Sequence, residues 1–272
     1  MLSGRRSTGF AAALILLGAA SASPALDRGA DGKFDRRESA HFVLLQDVDI
    51  DDTGGFHGSR RFEHGLLQVL EGAYESLESH LGLSPPRKIR VVVYDPVVFD
   101  ETFSGLFRFS AAGFYADVIR IRGATLIHEG LVRVLHHELV HAALHVAKPS
   151  LAVPAWLNEG LAEWFEARTL GKRHLSPAER SQLERAARQG ALFEYDQLAT
   201  RSFGYLASQS AQLAYLQSYA LIEYLVRRHG ERKLSDLVDA LIRTGDPNLS
   251  LQRVYRANLH TLQGRLFDEL QT

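Results

Sequence analysis

Two histidines and a glutamate in the middle of the chain have the residue types and spacing of a metal site that activates water. His137, Glu138 and His141 fit the pattern H-E-x-x-H. Residues four apart on a helix lie on one face, so both imidazoles can reach one ion at the roughly 2.0–2.1 Å typical of zinc. Glu138 is offset by one position, where it is poorly placed to bind the same ion but can act as a general base for water. The alternative is a helix with two core-facing histidines.

A catalytic zinc needs a third protein ligand and an open position. The metzincin pattern requires glycine and histidine where this chain has Leu144 and Ala147, so that class is excluded. His145 continues the histidine stripe one turn further along, and we interpret it as a core residue or a hydrogen-bond partner of the site. Glu159, in the next predicted helix, is the better candidate. That helix also carries Trp156 and other large apolar residues, and an inward glutamate on a buried helix needs a partner.

The sequence HHELVH at 136–141, followed by WLNEGLAEW at 156–164, resembles the peptidase MA-like group of gluzincin metallopeptidases. It is similar, more distantly, to the thermolysin-like enzymes and the zinc aminopeptidases. The resemblance is close over residues 125–170 and looser over 39–122. It implies a zincin-like fold, with an N-terminal mixed sheet with helices, a C-terminal helical lobe, and the active-site helix between them.

The resemblance also assigns roles around the metal. It implies one zinc ion per chain, held by His137, His141 and Glu159. Glu163, four residues further on, corresponds to an acidic residue that supports a metal-binding histidine, although many relatives have aspartate there. Glu163 lies one turn from Glu159 on the same helix face. We interpret Glu166 as out of phase with that face and solvated.

Related gluzincins place a tyrosine on a later helix to stabilise the oxyanion. The resemblance implies this role for Tyr219, or in second place for Tyr215, in the predicted helix 209–229. The alternative is that both tyrosines only pack in the core. By the same analogy, the strand within residues 115–122 is expected to be the sheet edge along which an extended peptide docks.

Strands are predicted in the first half of the chain and helices in the second. This segregation indicates an α+β architecture rather than a repeating βαβ unit. We divide the domain into a sheet lobe with the active-site helix, at 39–148, and a helical lobe, at 149–272. The predicted strands are 39–46, 88–94 and one or two within 111–122, and an acidic loop is predicted at 47–59. The predicted helices are 60–81, 127–146, 154–168 and 209–229, followed by two or three shorter ones. A capping box at 176–179 predicts the start of a further helix.

The first 22 residues are typical of a secretory signal peptide. Arg5 and Arg6 precede a short apolar run at 10–18, and a small-residue pattern predicts cleavage after Ala22. We therefore expect an exported protein, periplasmic or extracellular, with no membrane span after cleavage and a loose leader at 23–38. N-terminal sequencing of the exported protein tests this, since an intact Met1 on a cytoplasmic protein contradicts it.

The composition restricts the chemistry further. The chain has 272 residues, 46% of them hydrophobic and 23% charged, which is ordinary for a globular protein. Its formal net charge of −1 gives no reason to expect a nucleic-acid partner. Because the sequence contains no cysteine, disulfides and thiolate ligands are excluded, and a zinc ion must be bound by histidine and carboxylate groups.

The predicted function is that of a zinc metallopeptidase acting on peptide or protein. Zinc-activated water attacks the peptide bond, with Glu138 as the general base. Two alternatives remain open at this point. One is a catalytically inactive zincin-like module for binding or assembly, and the other is a zinc amidase that acts on a non-protein amide.

Overall fold

The computed structural model describes residues 34–47, 55–103, 112–124, 126–204 and 206–271. Within these ranges, the residues before 123 form the sheet. The residues after 128 form the longest run of consecutive helices. The predicted α+β class, with an N-terminal mixed sheet and a C-terminal helical lobe, is confirmed. The predicted signal peptide lies outside the described residues and stays a prediction.

A mixed five-stranded sheet forms the first lobe, with the strand order β1-β2-β3-β5-β4. The three central strands β2, β3 and β5 are parallel, while the outer strands β1 and β4 are antiparallel to their neighbours. The strands are β1 (Phe34–Glu38), β2 (Phe42–Asp47), β3 (Ile89–Tyr94), β4 (Gly113–Tyr115) and β5 (Ile119–Arg122).

The central strands are apolar because both faces of the sheet are covered. Helix α1 (Gly55–Leu81) joins β2 to β3 and contributes Leu66, Leu70 and Leu77 to the main core. On the other face, helix α2 (Pro96–Phe103) contributes two phenylalanines to a separate aromatic cluster with Tyr94 and Phe114. This second cluster anchors the short strand β4, which the site requires.

Two helices at the junction of the sheet lobe and the helical lobe are buried almost all round. They are α3 (Glu129–Ala147), continuously buried over residues 134–144, and α4 (Ala155–Thr169), continuously buried over 155–166. A helix buried on every side lies between other layers. Here α3 lies between the sheet lobe and α4, and α4 packs on a third long helix, α7. The remaining helices are α5 (Pro177–Arg188), α6 (Tyr195–Leu198), α7 (Ser208–His229), α8 (Glu231–Thr244), α9 (Pro247–Tyr255) and α10 (Leu259–Gln271).

Gly160 allows the close approach of α4 to α7. A Cβ atom at this position lies 2.8 Å from the carbonyl oxygen of Ser218 and 2.9 Å from a side-chain carbon of Ile222. These separations are too short for any side chain, so residue 160 must be glycine if the two helices are to keep this spacing. The contact brings α4, which carries Glu159, close to α7, which carries Tyr215 and Tyr219.

Several element boundaries differ from the sequence predictions. The leader predicted as loose includes strand β1 at Phe34–Glu38, because its antiparallel pairing with β2 gives it hydrogen bonds that local composition does not reveal. Helix α1 begins at Gly55, not at residue 60. Helices α2 and α6 were not predicted, whereas the capping box of Ser176 and Glu179 is present at the start of α5. None of the described helices combines the length and the apolar character needed to cross a bilayer.

Candidate metal centre

His137 and His141 lie one turn apart on α3, with their ring centroids 5.0 Å apart. Both residues are almost fully buried, at 1% and 3% exposure. Helix periodicity places the two rings on one face, and the packing of α3 under α4 removes that face from solvent.

Glu159 of α4 completes a group of three candidate ligands. Its Oε2 atom lies 3.4 Å from Nε2 of His137 and 3.7 Å from Nε2 of His141. One ligand atom from each of the three residues lies within 4.8 Å of the others. A single small cation can therefore contact all three, which the sequence predicted through the family resemblance.

The ligand atoms that face one another in this group form no hydrogen bond within the described structure. Nε2 of both histidines and Oε2 of Glu159 are buried and have no hydrogen-bond partner among the described residues. Each buried polar atom left unsatisfied costs roughly 1–3 kcal/mol, so three converging on one point indicate a bound group that satisfies them together. Two imidazole nitrogens and one carboxylate oxygen are a donor set that suits zinc.

His141 is oriented by a residue that the sequence analysis missed. Its Nδ1 atom lies 3.0 Å from Oδ1 of Asn158, the residue before Glu159. A hydrogen bond from Nδ1 leaves Nε2 as the nitrogen that can bind a metal. Burial and the nearby His137 lower the pKa of His141 well below its ordinary value, which favours the neutral imidazole that a metal requires. The position of Asn158 beside the predicted ligand was the only sequence signal for this role.

Two glutamates of α4 lie near Nδ1 of His137. Oε2 of Glu166 is 3.6 Å away and Oε1 of Glu163 is 3.9 Å away. The prediction that Glu166 is solvated is wrong, since it is only 5% exposed and forms a 2.7 Å ion pair with Arg133. The reason is helix geometry: seven residues are close to two full turns, so Glu166 returns to the face of Glu159.

Glu138 follows the candidate ligand His137 on α3 and is not one of the three candidate ligands. Its Oε2 atom accepts a 2.8 Å hydrogen bond from the backbone N–H of Tyr115 in β4, and its buried Oε1 atom has no partner in the described ranges. Burial raises the pKa of Glu138 from 4.5 to about 8. A carboxyl group in this state can exchange a proton near neutral pH.

The contact with Tyr115 also identifies the strand nearest to the site. The sequence predicted an edge strand within residues 115–122, but β5 at Ile119–Arg122 is internal, between β3 and β4. The outermost strand on this side is β4, at Gly113–Tyr115. It packs against α3, and its last residue donates to Glu138.

The two tyrosines named from the sequence face different surroundings. Burial raises the pKa of Tyr215 far above its ordinary value, and the carboxylates of Glu159, Glu163 and Glu138 act in the same direction. Burial also raises the pKa of Tyr219, and the carboxylates of Glu179, Glu223 and Glu163 act in the same direction.

The carboxylate of the candidate ligand Glu159 therefore contributes to the raised pKa of Tyr215. Near Tyr219, Nζ of Lys172 lies 4.5 Å from the ring centroid. The order inferred from the sequence, with Tyr219 before Tyr215, stays a prediction, and the influence of Glu159 is a reason to propose Tyr215 instead. His145 lies outside the three-residue group and lines a small cavity beside His141 and Tyr115.

Comparison with known proteins gives the family context. The Peptidase MA superfamily matches residues 88–270, a range that includes α3, α4 and α7. Among solved structures, a mutant of a two-domain M1 zinc metallopeptidase bound to L-arginine is 15% identical, with a TM-score of 0.45. The likeness covers 88% of this chain and 52% of that one, so the chain spans about half its length. No curated protein matches the sequence.

Proposed function

The chain belongs to the peptidase MA superfamily, and on that premise we propose that it is a zinc-dependent peptidase that hydrolyses peptide bonds with Glu138 as general base. One observation carries this proposal. Three buried ligand atoms without partners in the described structure converge on one point, and Oε1 of Glu138, which interacts electrostatically with His137 and Glu159, is likewise buried without a partner. A structural zinc site is closed by four protein ligands, whereas a catalytic site has three and keeps one position open for water. The three candidate ligands with Glu138 as a base fit the catalytic pattern.

His137, His141 and Glu159 hold the metal in this proposal. Zinc, when bound, supplies Lewis-acid polarisation of the scissile carbonyl and makes water more acidic. Asn158 keeps His141 in the tautomer that binds through Nε2. On the other side, Glu163 and Glu166 present negative charge to Nδ1 of His137.

Glu138 moves the proton. The Tyr115 N–H engages Oε2 and fixes the carboxyl group, which leaves Oε1 to take a proton from the attacking water. The same atom then gives the proton to the amine nitrogen that leaves. Proton transfer of this kind contributes typically about 10²–10⁴-fold in rate. Because the hydrogen bond comes from β4, we propose that the substrate backbone lies beside this strand.

Tyr215 supplies a hydroxyl for the developing oxyanion. It lies on α7, which packs against α4, and burial and the Glu159 carboxylate both raise its pKa. Loss of one oxyanion donor costs about 10²–10³-fold in kcat in well-studied hydrolases, and Tyr215 is expected to contribute within that range.

Zinc content and turnover, measured in the same samples, test the proposal. Purified wild type should hold about one zinc per chain. Glu138→Gln should keep the metal but lose peptide hydrolysis by roughly 10²–10⁴-fold, because it removes the base and no ligand. Glu159→Ala should lose most of the zinc. Glu75→Gln, which changes an exposed carboxylate on α1, is the matched control and should preserve both properties.

The outcomes separate this function from its alternatives. If Glu138→Gln cuts as fast as wild type, the general-base assignment is wrong. If the zinc-loaded wild type cuts no member of a broad peptide library, the peptidase function is wrong. Hydrolysis of non-protein amides by that same sample then identifies an amidase, and its absence identifies a binding module.

A further inference from the structure

A small cavity lies beside the candidate metal centre, where both His141 and Asn158 line it. Its wall is formed by the end of β4, the second half of α3, the segment 148–154 that joins α3 to α4, and the start of α4. The volume is about 50 Å³. A water molecule occupies roughly 30 Å³ in the liquid, so the space suits a short side chain and is too small for a large one.

The cavity borders both halves of the proposed catalytic site. His141 lines it, and Nε2 of His141 belongs to the candidate metal group. Tyr115 also lines it, and the backbone N–H of Tyr115 donates a 2.8 Å hydrogen bond to Glu138. A group held in the cavity is therefore separated by a single residue from the metal position and by a single residue from the general base.

The wall includes a hydrogen-bond donor that the fold does not use. Oδ1 of Asn158 is engaged by Nδ1 of His141, but the amide nitrogen Nδ2 has no hydrogen-bond partner among the described residues. Asn158 is only 8% exposed, yet Nδ2 is not one of the fully enclosed atoms without a partner. Its remaining exposure therefore includes this donor, which faces the cavity that the residue lines. An amide group with so little access to water is stabilised by an acceptor.

The rest of the wall limits the size and the charge of an occupant. Leu144, Leu151 and Val153 present apolar side chains, and among the described residues that line the cavity there is no aspartate, glutamate, lysine or arginine. A charged group entering it would have no ion-pair partner, which is costly. A long side chain would force the packed wall to move. The cavity therefore suits a short, uncharged side chain that carries an acceptor.

We propose that this cavity is a subsite for a small hydroxyl side chain, that of serine, on a residue next to the bond that is cut. The serine Oγ accepts a hydrogen bond from Nδ2 of Asn158, and its methylene group packs on the apolar wall. Successive side chains of an extended chain point to opposite faces, so a substrate beside β4 directs only one of the two residues that flank the scissile bond into the cavity. This inference rests on the proposed peptidase function and adds its substrate class.

Rates of hydrolysis test the size and the polarity of the subsite. Matched peptides carry serine, alanine or leucine first on one side of the scissile bond and then on the other, and kcat/KM is measured for each with zinc-loaded wild type. On one side, serine should exceed leucine by about tenfold or more, since one surplus methylene is worth about 10–200-fold. Serine should exceed alanine by about twofold to tenfold, the range of one neutral hydrogen bond. Equal rates for all three residues on both sides overturn the subsite and leave the peptidase function intact.

Two substitutions in the segment 148–154 enlarge the cavity without altering a candidate ligand. Leu151→Ala and Val153→Ala each remove part of a half-buried apolar wall and should each reduce the serine-to-leucine ratio by about tenfold. Leu249→Ala is the matched control, because Leu249 is 40% exposed on α9 and does not line the cavity. It should leave the ratio unchanged. An unchanged ratio in both cavity variants, with zinc content preserved, contradicts the subsite.

Equilibrium binding separates the subsite from the peptidase function. Fluorescein-labelled tetrapeptides made only of serine or only of leucine are titrated into the zinc-loaded full chain of Glu138→Gln, and fluorescence anisotropy gives each Kd. The serine peptide should bind about tenfold more tightly, whatever its register, and adding Leu151→Ala should narrow the difference. Equal binding, or tighter binding of the leucine peptide, overturns the subsite even if wild type cuts peptides. Selective binding of the serine peptide, by a protein whose wild type cuts no peptide, upholds the subsite and refutes the peptidase function.

Discussion

Nδ1 of His141 donates a 3.0 Å hydrogen bond to Oδ1 of Asn158, and this bond joins the helix of the H-E-x-x-H motif to the helix of Glu159. The same helix thus provides a candidate ligand and the group that orients another one. Residues that orient a metal ligand commonly contribute about 10–100-fold to metal affinity.

Asn158→Ala is therefore expected to lower zinc affinity by about 10–100-fold, because His141 loses the acceptor that selects its tautomer. Competition with a chromogenic chelator measures the affinity. Asn158→Asp keeps an acceptor and should retain most of it. Asn258→Ala is a matched control, since Asn258 accepts from the N–H of Thr261 at the start of α10. It should cost about 1 kcal/mol of stability with no change in zinc affinity; unchanged affinity in Asn158→Ala contradicts the orienting role.

Arg133 is expected to stabilise the fold through Glu166. The pair is 2.7 Å long, with Arg133 39% exposed and Glu166 7% exposed in their side chains. Arg133→Met leaves a buried carboxylate without its partner and should lower the free energy of unfolding by about 1–2 kcal/mol, a value reduced because the arginine is partly solvated.

The double variant Arg133→Met/Glu166→Gln isolates this interaction. It removes the buried charge together with its partner, so it should be more stable than Arg133→Met alone. Urea unfolding of the two single variants, the double variant and wild type gives the coupling energy. Strict additivity of the two substitutions refutes the pairing.

The metal-free protein should become less stable as the pH rises from about 4.5 to about 8. Burial raises the pKa of Glu138 from 4.5 to about 8, so over this interval the folded carboxyl group keeps a proton that the unfolded chain has lost. The free energy of unfolding then falls by about 1.4 kcal/mol per pH unit for this group. The stability that Glu138 contributes is fully present below its pKa in the unfolded chain. It is lost as the pH rises through its pKa in the folded protein.

Urea unfolding in the presence of a chelator, at pH steps between about 5 and about 8, measures this dependence. Glu138→Gln cannot ionise and should show a shallower slope than wild type. Identical slopes for the two proteins show that Glu138 is not the buried group that titrates. Added zinc should reduce the wild-type slope, because the cation favours the ionised carboxylate.

Parts of the site that depend on one helix could be predicted from the sequence. The four-residue spacing of His137 and His141 places them on one face of any helix, and the structure has both rings on one buried face. The prediction for Glu166 was wrong because its position on the helix was counted only approximately. Its separation of seven residues from Glu159 is nearly two turns, and careful use of the same rule places it inward.

Contacts between elements needed either a resemblance or the tertiary structure. Glu159 follows His141 by 18 positions across a turn, and no local period brings it to the histidines; the family resemblance suggested it. Strand β1 escaped prediction because its pairing with β2 is a property of two segments together. The hydrogen bond from Tyr115 to Glu138 depends on how β4 packs against α3.

The sequence by itself determined the chemistry available to this protein: a histidine pair at helical spacing, a neighbouring base, an absence of cysteine, and an order of strands before helices. These are properties of residue type and of short-range periodicity, which any helix or strand expresses locally. Only the tertiary structure decided which carboxylates meet His137, that Asn158 orients His141, and that the backbone N–H of Tyr115 donates to Glu138. Those relationships arise from the packing of α4 and β4 against α3, and packing depends on the shape of whole helix surfaces rather than on spacing along one chain.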